Sequence, residues 1–377
     1  MPIDVNKQTH ILLLSSWYPT EKNPFLGNFV QRQAQLLGQK YSVTVIHTVA
    51  SNRAQSISKK LEHNGYSEIV IHYNGNGHIL ARKRQERIAL LHAFKQLKNV
   101  DLIIGNVLLP KGWQFLIAKK IFQCPLFYIE HGSYFHQNSV FKWSRIHRWI
   151  RKKIGKKATA IIAVSEVLKV DMQRHFPKRK IEVVGNHIDS ELFVPKKKEN
   201  TIITQFLHVS TLDPYTKNPK GIIDACKLLL DETDQFKLTI VCDEDSSVWM
   251  SYAESQNCSE KLKFIGPLEW GELTPHYQNS DAFVLFSDYE SFSIVIAEAW
   301  STGTPVISTS VGIASNLEEK FGIQVQKQDL QSLKTAMLSI INGEKVFDPV
   351  QIVSKAAEYN AATILKKWTK LIKKHVR

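Results

Sequence analysis

A chain of 377 residues exceeds one comfortable hydrophobic core, so two domains are expected. Apolar residues make up 43% and charged residues 22%, an ordinary globular balance, and no uncharged apolar run reaches the roughly 18 residues that would span a membrane. The formal charge of +14 favours an anionic partner: nucleic acid, an anionic membrane face or a phosphorylated substrate.

The chain opens MPIDVNKQTHILLLSS, with an early acidic residue and an apolar run too short for a signal peptide, so a cytoplasmic protein is expected. Strands are expected at 11–16, 41–49, 68–73, 101–106, 125–132 and 160–165, where short apolar runs recur. Between them GNFVQRQAQLLGQ, RQERIALLHAFKQLK and GWQFLIAKKIFQ carry helical spacing. Strand–helix alternation implies a doubly wound parallel sheet. NGNGHIL (74–80) reads as a hairpin-like turn. The run at 141–158 reads as one basic amphipathic helix bearing Phe141, Trp143, Ile146, Trp149, Ile150 and Ile154. Such a helix either anchors on an anionic membrane or packs on the sheet with a solvated basic face.

A polar, basic, Pro-containing run at 189–200 reads as a linker, after which the alternation restarts. Strands are expected at 203–210, 236–242, 261–266, 281–287 and 304–310, with helices over PKGIIDACKLLLDE and SIVIAEAWSTG. The expected division is an N-terminal Rossmann-like domain at 1–188, a C-terminal Rossmann-like domain at 201–355, and an amphipathic helix at 356–377 packing back on the first domain. Four cysteines (124, 226, 242 and 258) are widely spaced without a CxxC pair, as reduced thiols would be.

Within SDYESFSIVIAEAWSTGTPVIST (287–309), a strand gives way to a helix starting near Phe292, with Gly303 and Pro305 as stop signals. The backbone N–H groups of Ser291, Phe292 and Ser293 then lie at a positive helix end, a ready site for a phosphate. Glu290 and Glu298 bracket that site and could grip hydroxyls on either side of a bound phosphate.

This stretch resembles the signature of the family 4 retaining glycosyltransferases: two glutamates with seven residues between them, then Ala, then Gly-x-Pro-Val, here Gly303, Thr304, Pro305 and Val306. The resemblance implies the GT-B fold, two Rossmann-like domains facing across a cleft. It also implies sugar transfer from a nucleotide-diphosphate sugar, with no metal and no cofactor. SSWYPTEKNPFLGNFVQRQAQLL (15–37) is similar to the family's first strand–loop–helix, which makes Gly27 and Asn28 donor-binding candidates. YIEHGSYF (128–135) places His131 like the family histidine beside the reacting sugar. FLHVSTLDPYTKNPKGIIDA (206–225) resembles the diphosphate-binding loop, with Lys217 as its lysine. The resemblance assigns Glu290 to the sugar hydroxyls and Glu298 to the ribose. The sequence departs from the family at Ser210 and Thr211, where a basic residue usually stands, at His187–Ile188, and after Gly312, where the usual glutamate is displaced or lost.

The implied acceptor is a glycan or lipid-linked molecule of cell-surface polysaccharide, lipopolysaccharide or capsule synthesis. Nucleic acid is not expected as a partner, because no recognised binding motif accompanies the basic charge. Two other readings stay open: a nucleotide-sugar epimerase of the same architecture, and a non-catalytic protein that binds an anionic ligand. Asp243–Asp245, a potential Mg²⁺-binding acidic run, reads as a solvated loop.

Overall fold

The computed structural model describes residues 8–21, 23–52, 57–137, 139–197 and 202–376, with the side chains at 57–59 outside that description. The chain forms two compact units. One comprises Met1–Val164, Leu168–Val184 and Leu365–Arg377, the other Ser165–Val167 and Gly185–Ile364.

The first unit is built on strands β1 (His10–Ser15), β2 (Ser42–Ser51), β3 (Ile57–His63), β4 (Tyr66–Asn74), β5 (Leu102–Asn106), β6 (Leu126–Glu130), β7 (Ala160–Ala163) and β8 (Ile181–Val183). They lie in the order β3-β4-β2-β1-β5-β6-β7-β8. Every pairing is parallel except β3 with β4. Ile11 to Leu14 are wholly buried, as strands covered by helices on both faces must be. Because β2 and β5 flank β1 on opposite sides, the carboxyl ends of β1 and β5 mark a topological switch point, where Ser15 pairs with Asn106.

The second unit carries β9 (Thr204–Val209), β10 (Phe236–Val241), β11 (Leu262–Ile265), β12 (Ala282–Leu285), β13 (Val306–Thr309) and β14 (Gly322–Val325), all parallel, in the order β11-β10-β9-β12-β13-β14. One core cluster includes Ile222, Leu229, Phe236 and Met337, and another includes Phe193, Tyr277, Phe283 and Trp300. The switch point falls between β9 and β12, so the loops after those two strands share one edge of the sheet. The expected pair of doubly wound parallel-sheet domains is what the chain forms.

Several local expectations need correction. NGNGHIL does not form a hairpin: β4 ends at Asn74, and the next helix, Ile79–Phe94, starts after His78, whose ring accepts the Leu80 N–H. The hairpin lies earlier, at Asn64–Gly65 between β3 and β4, where Gly65 takes φ +87° as such a two-residue turn demands. The basic helix spans Arg145–Lys157, capped by Ser144, so Phe141 and Trp143 precede it. Their rings pack with Tyr134, Phe135 and His175. Ile150 and Ile154 seat the helix while Ile146 and Trp149 stay more than half exposed. The start of the expected linker is anchored: Phe193 is wholly buried against Tyr277 and Trp270. Positions 198–200 of that stretch lie outside the described residues.

The last helix, Ala361–His375, buries Ile364, Trp368 and Ile372. From Leu365 onward it belongs to the first unit, where the His375 ring meets Phe127 edge-on at 5.6 Å. Among the described residues, no helix is long and apolar enough to cross a membrane.

Candidate active site

In the second unit, Lys217 and Glu290 come from the loops after β9 and β12. Lys217 lies one residue before Asn218, which adopts a left-handed conformation and caps the helix Pro219–Leu230 by accepting the Gly221 N–H at 3.0 Å. The β12 loop is tied to the β9 loop by Asp288 N–H donating to Thr216 O at 2.8 Å. Lys217 Nζ then reaches Glu290 Oε1 at 2.6 Å, and Ser287 Oγ donates to the same oxygen at 3.0 Å.

The following helix starts later than expected. It spans Ile294–Ser301, because Ser293 has φ +71° and cannot be helical. Ser291, Phe292 and Ser293 therefore form the turn ahead of the helix, and its first-turn amides are those of Ile294 and Val295. Ser293 Oγ is buried and has no hydrogen-bond partner among the described residues. Gly312, at φ +49°, lies against this turn, so close that a Cβ there would meet Phe292 O at 2.4 Å and Ser293 Oγ at 2.5 Å.

Glu298 is 2% exposed, and its charge is met by protein donors: Trp270 Nε1–H to Oε1 at 2.8 Å and Tyr277 O–H to Oε2 at 3.1 Å. These partners explain how a carboxylate stays in an oily helix, where the sequence led us to expect a ligand hydroxyl. Nothing local in the sequence linked them, since Trp270 and Tyr277 stand 28 and 21 positions away.

Ser210, where the family usually has a basic residue, has a structural task. It accepts the Leu212 N–H at 3.1 Å and donates to Nε2 of buried His208 at 2.7 Å, while His208 Nδ1 donates to Val284 O at 2.8 Å. Burial pushes the His208 pKa down to about 4. A second cation reaches the loop after β12: Lys327 Nζ donates to Asp288 O at 2.6 Å. Among the described residues, no group of three His, Cys, Asp or Glu could hold a metal ion.

In the first unit, Gly27 has φ +73° and precedes the helix Asn28–Gly38. A Cβ there would lie 2.5 Å from the Trp17 carbonyl, so the chain's own backbone requires glycine. Phe29, next to Asn28, stacks on the His131 ring with centroids 4.1 Å apart. The helix start and the histidine, which the sequence pointed to separately, are thus neighbours. His131 Nε2 lies 3.0 Å from Asn106 Oδ1, and Asn106 Nδ2 donates to Gln33 Oε1 at 2.9 Å. That chain assigns the proton to Nε2 and leaves Nδ1 as an acceptor with no described partner. Burial lowers the His131 pKa to about 3, so the ring is neutral.

Two family models match the chain: Glycosyltransferase Family 4 over residues 26–192 and Glycosyl transferases group 1 over residues 189–359. The chain belongs to the family 4 glycosyltransferases. Its similarity to curated members is distant. It is 25% identical over 266 residues to D-inositol 3-phosphate glycosyltransferase of Corynebacterium glutamicum, covering 63% of this chain and 60% of that one. To the O-antigen chain mannosyltransferase RfbU of Salmonella typhimurium it is 27% identical, covering 51% and 54%. It matches only 40% of the length of the glycogen synthase of Mycobacterium tuberculosis. Among solved structures, sucrose-phosphate synthase from Thermosynechococcus elongatus superposes with a TM-score of 0.76 at 18% identity, covering 97% of this chain and 99% of that one. HepE of Anabaena, in complex with UDP and glucose, gives 0.72 at 16% identity, covering 97% and 100%. These structural likenesses establish the GT-B fold.

Proposed function

We propose that this glycosyltransferase-family protein moves a sugar from a nucleotide-diphosphate sugar to a glycan or lipid-linked acceptor, with retention of anomeric configuration. The observation that carries the reading is the Lys217–Glu290 pair, held at the switch point of the second unit just ahead of a helix N-terminus. An arriving diphosphate draws the Lys217 ammonium to itself and releases Glu290 to accept sugar hydroxyls. Amides of the 291–293 turn, the helix dipole and Lys327 share the phosphate charge, which takes the place of a metal ion. Glu298, fixed by Trp270 and Tyr277, offers its remaining acceptor capacity to the ribose. In the first unit Gly27 and Asn28 belong to the donor side, and the neutral His131 accepts a hydrogen bond from a hydroxyl through Nδ1.

The transition state develops positive charge at the anomeric carbon and negative charge on the departing phosphate. Preorganised dipoles and Lys217 stabilise the phosphate. No cofactor takes part, and the leaving phosphate itself assists front-face attack by the acceptor. The relative named as an O-antigen chain mannosyltransferase supports an acceptor in surface-glycan synthesis. The exposed Ile146 and Trp149 on the basic helix Arg145–Lys157 suit an anionic membrane on which a lipid-linked acceptor resides.

Incubation with radiolabelled UDP-, GDP- and ADP-sugars and a bacterial lipid extract tests the reading. Label should move to an acceptor with its anomeric configuration unchanged. An epimerised donor would establish the epimerase instead, and binding without turnover the non-catalytic protein.

A further inference from the structure

Glu130, the last residue of β6, is wholly buried, and among the described residues no cation pairs with it. Its carboxylate is nevertheless crowded with donors. Oε1 accepts the N–H of His131 at 2.8 Å and of Gly132 at 2.7 Å. Oε2 accepts the Leu108 N–H at 3.1 Å and the hydroxyls of Tyr128 and Tyr134. Tyr134 Oη in turn accepts the Leu108 N–H at 2.9 Å, tying it to the same backbone. Five donors and no acceptor suit the ionised form, although burial pushes the Glu130 pKa up.

A buried carboxylate without a cation is costly to desolvate, and the donors around it are what make it tolerable. What it provides here is geometry. Two segments converge on it: the turn after β5, through Leu108, and the turn after β6, through His131 and Gly132. Those segments are bridged a second time by the His131 ring on Asn106 of β5. The ring can keep that contact and its Nε2–H tautomer only while the two turns hold their separation.

We infer that Glu130 is a positioning residue for His131, with its carboxylate fixing the backbone so that the imidazole stays on Asn106 and presents a neutral Nδ1. The catalytic consequence rests on His131 acting as proposed above, whereas the positioning itself does not.

Glu130→Gln keeps the size and sets an amide N–H₂ against donors on one side. In ¹⁵N-histidine-labelled protein, with His131 assigned through His131→Gln, the wild-type ring should read as a single Nε2–H tautomer. Glu130→Gln should turn it into a mixture. With whichever of UDP-, GDP- or ADP-glucose the wild type hydrolyses, kcat for nucleotide release should fall roughly tenfold or more while KM stays within about twofold. If Glu130→Gln does not fold, Tyr134→Phe, which cuts one tie to the Leu108 turn, should shift the same imidazole resonances. A folded variant whose His131 signals and kcat match wild type overturns the inference. If the wild type releases no nucleotide from any of the three donors, the imidazole spectrum alone decides the role of Glu130, and the glycosyltransferase reading stands or falls on the transfer assay with lipid extract.

Discussion

Lys217 and Glu290 serve as each other's counter-charge in a largely buried setting. Lys217→Ala leaves Glu290, among the described residues, with Ser287 as its remaining partner, so the variant should lose stability as well as donor binding. Lys217→Ala/Glu290→Gln removes the stranded charge and should recover most of that stability in urea unfolding, without recovering activity. Equal stability of the single and double variants would show that the pair is not coupled. Glu298→Ala leaves Trp270 Nε1–H and Tyr277 O–H without their acceptor, which should cost about 2–5 kcal/mol of unfolding free energy. The spacing of Glu290 and Glu298 was readable from the sequence because both belong to one local strand–turn–helix. Their partners were not, since Lys217, Trp270 and Tyr277 reach them only through sheet order and helix packing. Glu130 was missed for another reason: in a strand buried on both faces, neither alternation nor charge distinguishes an anchor from an error.

At the level of elements, the parallel strands could be read as unbroken apolar runs because helices cover both faces. The edge strand β3, ISKKLEH, could not, because Lys60 and Glu62 face solvent and pairing with β4 makes it a strand. The end of the Ile294–Ser301 helix followed local rules. Gly303 takes φ +77°, Thr304 N–H returns to Ala299 O at 2.9 Å and Gly303 N–H to Trp300 O at 3.0 Å, the paired bonds of a Schellman motif. Its start did not, because Ser293 is held left-handed where Gly312 packs against Phe292 and Ser293, some 20 positions away in sequence. Gly312→Ala should therefore act on the donor turn. We expect about 1–3 kcal/mol of destabilisation and a loss of nucleotide-sugar affinity larger than that of a surface variant matched for stability. Unchanged affinity would detach Gly312 from the site. Gly27→Ala should destabilise by a similar amount, through the Trp17 backbone.

Both units bury histidines that are neutral when folded. His47 and His131, in the first unit, are lowered to about 3, and His208, in the second, to about 4, chiefly by burial. In the unfolded chain each returns to about 6.5, so between these values the unfolded state binds more protons and stability falls as pH drops. Each histidine contributes up to about 1.4 kcal/mol per pH unit in that window. Urea midpoints measured from pH 7.5 down to 4.5 should fall steeply below about pH 6, and a flat profile would contradict the buried neutral rings. The most direct test of the whole account is thermal unfolding with UDP-, GDP- and ADP-sugars in excess. Saturation near a hundred times Kd adds about 2.7 kcal/mol, so at least one donor should raise the Tm of the wild type by roughly 5 °C or more. That donor should leave Lys217→Ala/Glu290→Gln unmoved. Stabilisation of the wild type by none of them, or equal stabilisation of the double variant, would contradict a donor site at Lys217 and Glu290.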